Sequence, residues 1–575
     1  MNKTASWGSA PNPYFAREHT RRLDGKWDFA VTKDENLPAA YRSIFVPFAP
    51  ETAKSGVQQA ILPDDVMHYR LIICDTPEEY KGKRALIHFT AVDQIADVYW
   101  NGEHLAHHEG GYWPFSILVP HLEDGDEIRL IVRDDTSSDV YGRGKQSLKP
   151  GGIWYTATSG IWGTVYAEYL DEGFYFQKVQ ITPNFDRKSV EFHLGKDGAD
   201  ASISVIAPND SKLEIIADQE GNGIADLSNA FFPWSNEAPN LYRVVIQKES
   251  DSVRSVFGLR KIEKIEKGGK QYIALNGKPI LLNSLLDQGY YSPETGLTPK
   301  SDDQIKEELE LVKKLGFNAL RKHIKIEPTR WYYECDRLGI LVIQDMVNSG
   351  GPVPLLRLAL APFIPFRFND KNYKKMKRGN PLSRRMFEQE LEETVSLLRP
   401  VASILVWTLF NEGWGQFDAA RLTERLRQLD PTRLIDSTSG WFDQGVGDFD
   451  SHHVYFRRPK LKNGGLRVLG LSEYGGYSLG IDGHITKKKT FGYAKIKSQE
   501  DLYEAYAKSY RQDLIPLIAN QGLSYIVLTQ WSDVEGEING LLTYDREVMK
   551  VDAMKMSSLN DELYQAFENT IGGKK

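Results

Sequence analysis

The sequence predicts a multi-domain protein in which two antiparallel β-sandwiches precede a C-terminal (β/α)8 barrel. Three observations carry this reading: the length, a change of hydrophobic period after Gly277, and turn and cap residues placed where the periods break. A chain of 575 residues exceeds what a single hydrophobic core organises, so several domains are expected. Between about Trp27 and Tyr169, short alternating segments dominate, among them 85–89, 96–100 and 127–132. Alternation with period two is the mark of half-buried strands. Asn101-Gly102 follows one of them, and both residues tolerate the positive φ of a type I′ hairpin turn. A second all-β stretch, from about Phe174 to Glu263 with strands at 201–205 and 242–246, has the length of an immunoglobulin-like sandwich. These shifts divide the chain at 1–170, 171–264 and 265–575.

Strands alternate with helices after Gly277, which argues for βα units and a parallel sheet. Ser301 and Gln304 have capping-box spacing, Ile305, Leu309 and Val312 share one helical face, and Gly316 suits a left-handed stop. A strand at 318–323 follows. The next helix runs from near Pro328 to Leu338, stops at Gly339, and gives way to a strand at 340–344 that ends at Asp345. Further strands are expected at 404–410, 434–437, 452–455, 468–471 and 525–529. With 280–285 these make the eight of a barrel of ordinary size. The stretch 350–381, rich in Pro, Arg and Lys, reads as a long loop after the third strand.

Bulk properties exclude several functions. A formal charge of −7 with 26% charged residues offers no general attraction to nucleic acid or anionic lipid. Cys74 and Cys335 fall in different predicted domains, which disfavours a disulfide framework or cysteine metal site and suits a reducing compartment. Residues 1–22 carry no apolar run before a small-residue cleavage site, and no apolar run has spanning length. The reading is therefore cytoplasmic, with no membrane partner. No Gly-x-Gly-x-x-Gly follows a strand, so a nicotinamide enzyme is set aside.

Residues at the C-terminal ends of barrel strands face the active site. The fourth predicted strand ends in Asn411-Glu412 and the seventh in Glu473. A Glu at a strand end is more often a solvated loop residue or ion-pair partner. Two such residues across one mouth are instead what glycosidic hydrolysis needs, an acid for the departing oxygen and a carboxylate for the anomeric carbon. Retention predicts carboxyl groups about 5–5.5 Å apart. Asn411, beside the acid, offers an amide to a sugar hydroxyl.

Motifs over nearly the whole chain point the same way. Leu23-Asp-Gly-Lys-Trp-Asp-Phe29, Val46-Pro-Phe48, Val98-Tyr-Trp-Asn-Gly102, Gly110-Gly-Tyr-Trp-Pro-Phe115 and Ser159-Gly-Ile-Trp-Gly163 resemble the sugar-binding jelly roll of family 2 glycosidases. Phe257-Gly-Leu-Arg260 is similar to that family's junction of sandwich and barrel, and Trp407 through Trp414 and Ser472-Glu-Tyr-Gly475 to its acid/base and nucleophile motifs. The resemblance implies a β jelly-roll sandwich, an immunoglobulin-like β-sandwich and a catalytic TIM barrel, with Glu412 as general acid/base and Glu473 as nucleophile. It further implies an exo-acting pocket for a small carbohydrate or glycoside. Asp287, Arg321, His323, Asp345, Trp441, His453, Tyr455 and Trp531, at or near predicted strand ends, stand where the family binds sugar hydroxyls, orients the nucleophile or provides an aromatic platform. For each, a satisfied structural polar group or core aromatic is an equal alternative. Arg321 beside Glu473 would keep it ionised, and Tyr455 could donate to the same carboxylate.

No cofactor is required. Some β-galactosidases of the family use magnesium or sodium, but the carboxylates here give no position for a metal. His107-His108 and His452-His453 lack partners at ligand spacing and read as surface residues, while Asp533, Glu535 and Glu537 could serve a pocket but read more plainly as a solvated acidic loop. The Asn-x-Lys-Gly of the family's β-glucuronidases is absent from the barrel portion, and Trp154 stands where its galactosidases place an acid. A β-galactosidase-like activity ranks first, with arabinosidase, β-mannosidase and β-hexuronidase close behind. An inactive carbohydrate-binding protein is the alternative from another class. A homo-oligomer is compatible with the sequence, which does not fix oligomeric state.

Overall fold

The computed structural model describes residues 10–351, 369–455, 457–487 and 489–573. The N-terminal sandwich packs a four-stranded antiparallel sheet on a six-stranded one. Its expected strands appear as Arg84–Phe89, Ile95–Trp100 and Glu127–Arg133, and their inward residues Ile87, Phe89, Val98 and Leu130 join Trp27, Phe29 and Tyr69 in one core. Asn101 (φ 48°) and Gly102 (φ 87°) make the hairpin turn, pairing Trp100 with Glu103. In the second sandwich, a three-stranded sheet faces a four-stranded one. Ser202–Ile206 and Tyr242–Lys248 run antiparallel at its centre.

The segment Phe257–Arg260 seats this sandwich under the barrel. Gly258 is required there, since a Cβ would lie 2.6 Å from that of Ala402, and the Arg260 guanidinium reaches the Ala402 carbonyl at 3.0 Å.

The barrel strands are β1 (Leu282–Asp287), β2 (Ala319–Lys322), β3 (Leu341–Asp345), β4 (Ile404–Asn411), β5 (Leu434–Ser439), β6 (Phe449–Val454), β7 (Val468–Gly475) and β8 (Tyr525–Thr529). They pair in parallel in the order β5-β4-β3-β2-β1-β8-β7-β6, leaving a seam without a ladder between β5 and β6. β1, β3, β4, β5, β7 and β8 are buried throughout, which explains the apolar runs in place of alternation in β3, β4 and β8. Helices Asp302–Lys314 and Thr329–Leu338 start and stop as expected. The Ser301 hydroxyl accepts from Gln304 N, Gly316 has φ 82°, and Gly339 has φ 72°.

Strict alternation fails at two connections. Among the described residues, β5 and β6 are followed by loops rather than helices. The first is too short for a crossover helix, and the second carries Pro459 and Gly464-Gly465, which break one. Of the loop expected at 350–381, residues 352–368 lie outside the described residues, and Pro381 already opens the helix Pro381–Leu398. No described helix is long and apolar enough to cross a membrane. Cys74 is exposed, Cys335 is buried, and both are free thiols.

Candidate active site

Glu412 follows the last residue of β4 in a left-handed conformation (φ 53°), its N–H donating to the Ser439 carbonyl at the end of β5 (2.9 Å). Glu473 lies inside β7 rather than at its end, because the strand runs on to Gly475. A register irregularity between Leu471 and Tyr474 in the pairing with β8 accompanies this position. The two carboxylates converge: ligand atoms of Glu412, His453 and Glu473 all lie within 4.8 Å of one another. One oxygen of each carboxylate thus lies closer to the other than the roughly 6.5–9.5 Å between carboxyl groups that leaves room for a water in inversion.

Their surroundings differ. Glu473 is 4% exposed, takes Arg321 Nη1 at 3.2 Å, and accepts from the Tyr455 hydroxyl. Burial alone would raise its pKa, but the charges of His453, Arg321, His323 and Lys145 outweigh burial and hold the carboxyl down at about 2. Arg321 is fully buried and bidentate to Asp345 (3.0 and 2.9 Å), and it also reaches Asn411 Oδ1 at 2.8 Å. Glu412 is more open, and its Oε1 lies 2.9 Å from His453 Nδ1. His453 Nε2 is 2.8 Å from Ser439 Oγ and 3.5 Å from Glu473 Oε1. The imidazole therefore bridges the two carboxylates. The Trp441 ring meets its edge at 5.7 Å, and Tyr455 stacks on Tyr493 at 4.0 Å.

Of the residues expected around the pair, Asn411, Arg321, His323, Asp345, Trp441, His453 and Tyr455 are gathered there. His323 Nδ1 sits 2.8 Å from Asp345 Oδ2. Two are engaged elsewhere. Asp287 pairs with Lys322 at 2.6 Å, and Lys322 in turn holds Glu327. The buried Trp531 spends its indole N–H on Glu308 of the first barrel helix.

Several sequence expectations need correction. Asp533, Glu535 and Glu537 are buried, not a solvated loop, because each acquires partners from distant segments. Asp533 pairs with Lys550, Glu535 takes Lys487 and the Thr156 N–H, and Glu537 accepts from the Tyr155 hydroxyl and Asn539. His108 is buried against Phe115 and Trp113 while His107 is exposed beside Asp97. His453 is no surface residue.

The connection after Arg133 was not singled out from sequence. It leaves the N-terminal sandwich and lies along the barrel mouth: Arg143 N donates to the Asn348 carbonyl (2.9 Å), Gly142 N to Glu390 (3.1 Å), and Trp154 meets Trp414 edge-on at 4.5 Å. Gln288 Nε2 donates to the Tyr155 hydroxyl at 2.8 Å. Its signal in the sequence is length, since a long connection with little secondary structure of its own is commonly functional.

With this geometry in hand, residues 266–464 match the family described as glycosyl hydrolases family 2, TIM barrel domain. The match covers the barrel portion of the chain. A β-galactosidase of Thermoanaerobacterium thermosulfurigenes is 26% identical over 72% of this chain, and a β-glucuronidase of Bacteroides fragilis is 24% identical over 69%. This chain spans 57% and 60% of the lengths of those two relatives. A solved β-D-glucuronidase from Dictyoglomus thermophilum superposes with TM-score 0.73 at 16% identity, covering 96% of this chain and 98% of that one. Sandwich, second sandwich and barrel thus share their fold with that structure, and both convergent glutamates stand at the barrel mouth.

Proposed function

We propose that this chain is a retaining, exo-acting family 2 glycosidase that removes a terminal β-galactose-type sugar from a small glycoside. The observation that supports it is the pair of unlike carboxyl groups with oxygens within 4.8 Å of each other, one buried and held ionised by Arg321 and its neighbours, the other more open to solvent. In this reading Glu473 attacks the anomeric carbon while Glu412 protonates the departing oxygen. Glu412 then takes a proton from water, which releases the sugar. Arg321 and Tyr455 hold the nucleophile. Asn411, its oxygen spent on Arg321, keeps its N–H donors for a hydroxyl whose contact strengthens in the transition state. The double displacement needs no metal, because the two carboxyl groups supply nucleophile, acid and base.

A neutral glycone is favoured over a uronic acid because the loop after β8 brings the acids Glu535 and Glu537 toward the mouth. Arabinosides and mannosides are the neutral alternatives. The two free thiols fit a cytoplasmic enzyme.

A panel of p-nitrophenyl glycosides, run on the wild type and on Glu473→Gln, tests the proposal. A glycosidase hydrolyses a neutral β-glycoside and loses about 10³-fold or more of kcat in the variant. A wild type that binds the sugar with no turnover, its affinity unmoved by Glu473→Gln, would be a binding protein instead.

A further inference from the structure

The mouth carries a second polar wall that the glutamate mechanism does not use. Its first member is Lys145, on the connection from the N-terminal sandwich. Its side chain is half-buried, and among the described residues its ammonium makes no hydrogen bond or ion pair. The neighbouring cations are engaged: Arg321 by Asp345 and Glu473, Lys322 by Asp287 and Glu327, Lys325 by Glu327, and Lys487 by Glu535.

The Lys145 charge nevertheless acts on the site. It helps hold Glu473 down, opposes the burial that leaves Glu537 raised, and adds to the larger effect of burial in lowering His323. Lys145 and His323 also line one small enclosed space, with Gln288 and Tyr290.

Two further groups on this wall have unspent hydrogen-bonding capacity. His323 is 1% exposed, and its Nε2 has no protein partner. Asn348, just past β3, is 1% exposed with both side-chain amide atoms unpartnered. Burying such groups without partners costs free energy, so a polar ligand is the expected complement. The wall is held in place: Asn348's own carbonyl accepts from Arg143 N and Gly144 N, and Gly144 abuts the Ile324 carbonyl, which a Cβ there would approach to 2.9 Å.

We propose that Lys145, supplied across the domain boundary, is a sugar-binding residue. Its ammonium donates to a glycone hydroxyl that in turn donates to Glu537, so that the wall reads an uncharged sugar. A hydroxyl both accepts and donates, so it satisfies an ammonium and a carboxylate together, which the carboxylate of a uronic acid does not. A uronic acid would satisfy Lys145 while facing Glu473 and Glu537 with a third negative charge. The inference rests on the glycosidase reading of the same site.

The test compares wild type, Lys145→Met and Lys145→Arg on the fastest neutral p-nitrophenyl glycoside, its monodeoxy analogues, and p-nitrophenyl β-galacturonide. Lys145→Met should lower kcat/KM for the neutral glycoside by about 10- to 100-fold with an unchanged melting temperature. Lys145→Arg should recover part of that loss, and the loss should vanish for the one deoxy analogue lacking the contacted hydroxyl. An unchanged kcat/KM in Lys145→Met, or a wild type that prefers the uronide and loses that preference in the variant, overturns the inference while leaving the glycosidase reading intact. A wild type inactive on every glycoside overturns the glycosidase reading, and this inference with it.

Discussion

At Glu473 the energetics turn on a competition between burial and charge. Burial penalises a carboxylate, yet His453, Arg321 and the Lys145 field together bring the group from its ordinary value of 4.5 to about 2. The folded value lies below the unfolded one. Ionised Glu473 therefore contributes stability that is complete above the ordinary value and is lost as pH falls through the folded value. Arg321 is the fixed cation among these, fully buried and tied to Asp345 and Asn411. Arg321→Gln keeps a donor but removes the charge. The acid limb of kcat/KM should move up by about one pH unit or more, and activity at neutral pH should fall roughly 100-fold. A pH–rate profile with an unmoved acid limb would show that Arg321 does not set the charge of Glu473. Tyr455 then acts by orientation, its hydroxyl donating to the carboxylate that Arg321 keeps ionised.

At the scale of elements, the end of β5 positions His453 through backbone shape. Gly440 has φ 87°, and a Cβ there would lie 2.6 Å from the His453 ring, the ring that bridges Glu412 and Glu473. Gly465 has a similar φ of 69° with nothing within 4 Å. Alanine at either site costs about 1–2 kcal/mol of backbone strain, but only Gly440→Ala also displaces the imidazole. It should lose about tenfold or more of kcat/KM while Gly465→Ala keeps wild-type activity, with thermal unfolding of both as the control. Equal activity in the two variants would separate His453 placement from function.

Strands β3, β4 and β8 were legible as buried apolar runs, and helix stops such as Gly316 and Gly339 marked where the strands begin. Both glutamates were legible because strand ends carry chemistry. The missing helices after β5 and β6 were not, since expecting a full (β/α)8 alternation overrode the short connection and the Pro459 and Gly464-Gly465 breaks. Burial of Asp533, Glu535 and Glu537 was illegible for a different reason: it depends on Lys550, Lys487 and Tyr155, which no local pattern links to them. Lys145 and Asn348 were hidden likewise, because their juxtaposition exists only once two domains dock.

Across the whole molecule, that docking is secured by buried polar ties as well as apolar contact. Arg17 joins Glu168 of the N-terminal sandwich at 2.6 Å to Asp251 of the second sandwich at 2.8 Å. Tyr14 donates to Asp336 at 2.8 Å, and Asp336 caps the Ala402 and Ser403 N–H groups below β4. Breaking a buried pair leaves an uncompensated charge, so these ties resist separation of the domains and keep the 142–156 segment against the mouth. The proposed chemistry is thus a property of the assembled chain: the barrel brings the two carboxyls together, and the first sandwich supplies the opposite wall.

The stereochemistry of the first-formed product, followed by proton NMR on an aryl β-glycoside in deuterated buffer, tests that account most directly. Carboxylate oxygens within 4.8 Å of each other and an ionised Glu473 predict that the β-anomer appears first and mutarotates afterwards. Initial release of the α-anomer would mean that water attacks directly, and the assignment of Glu473 as nucleophile would fail.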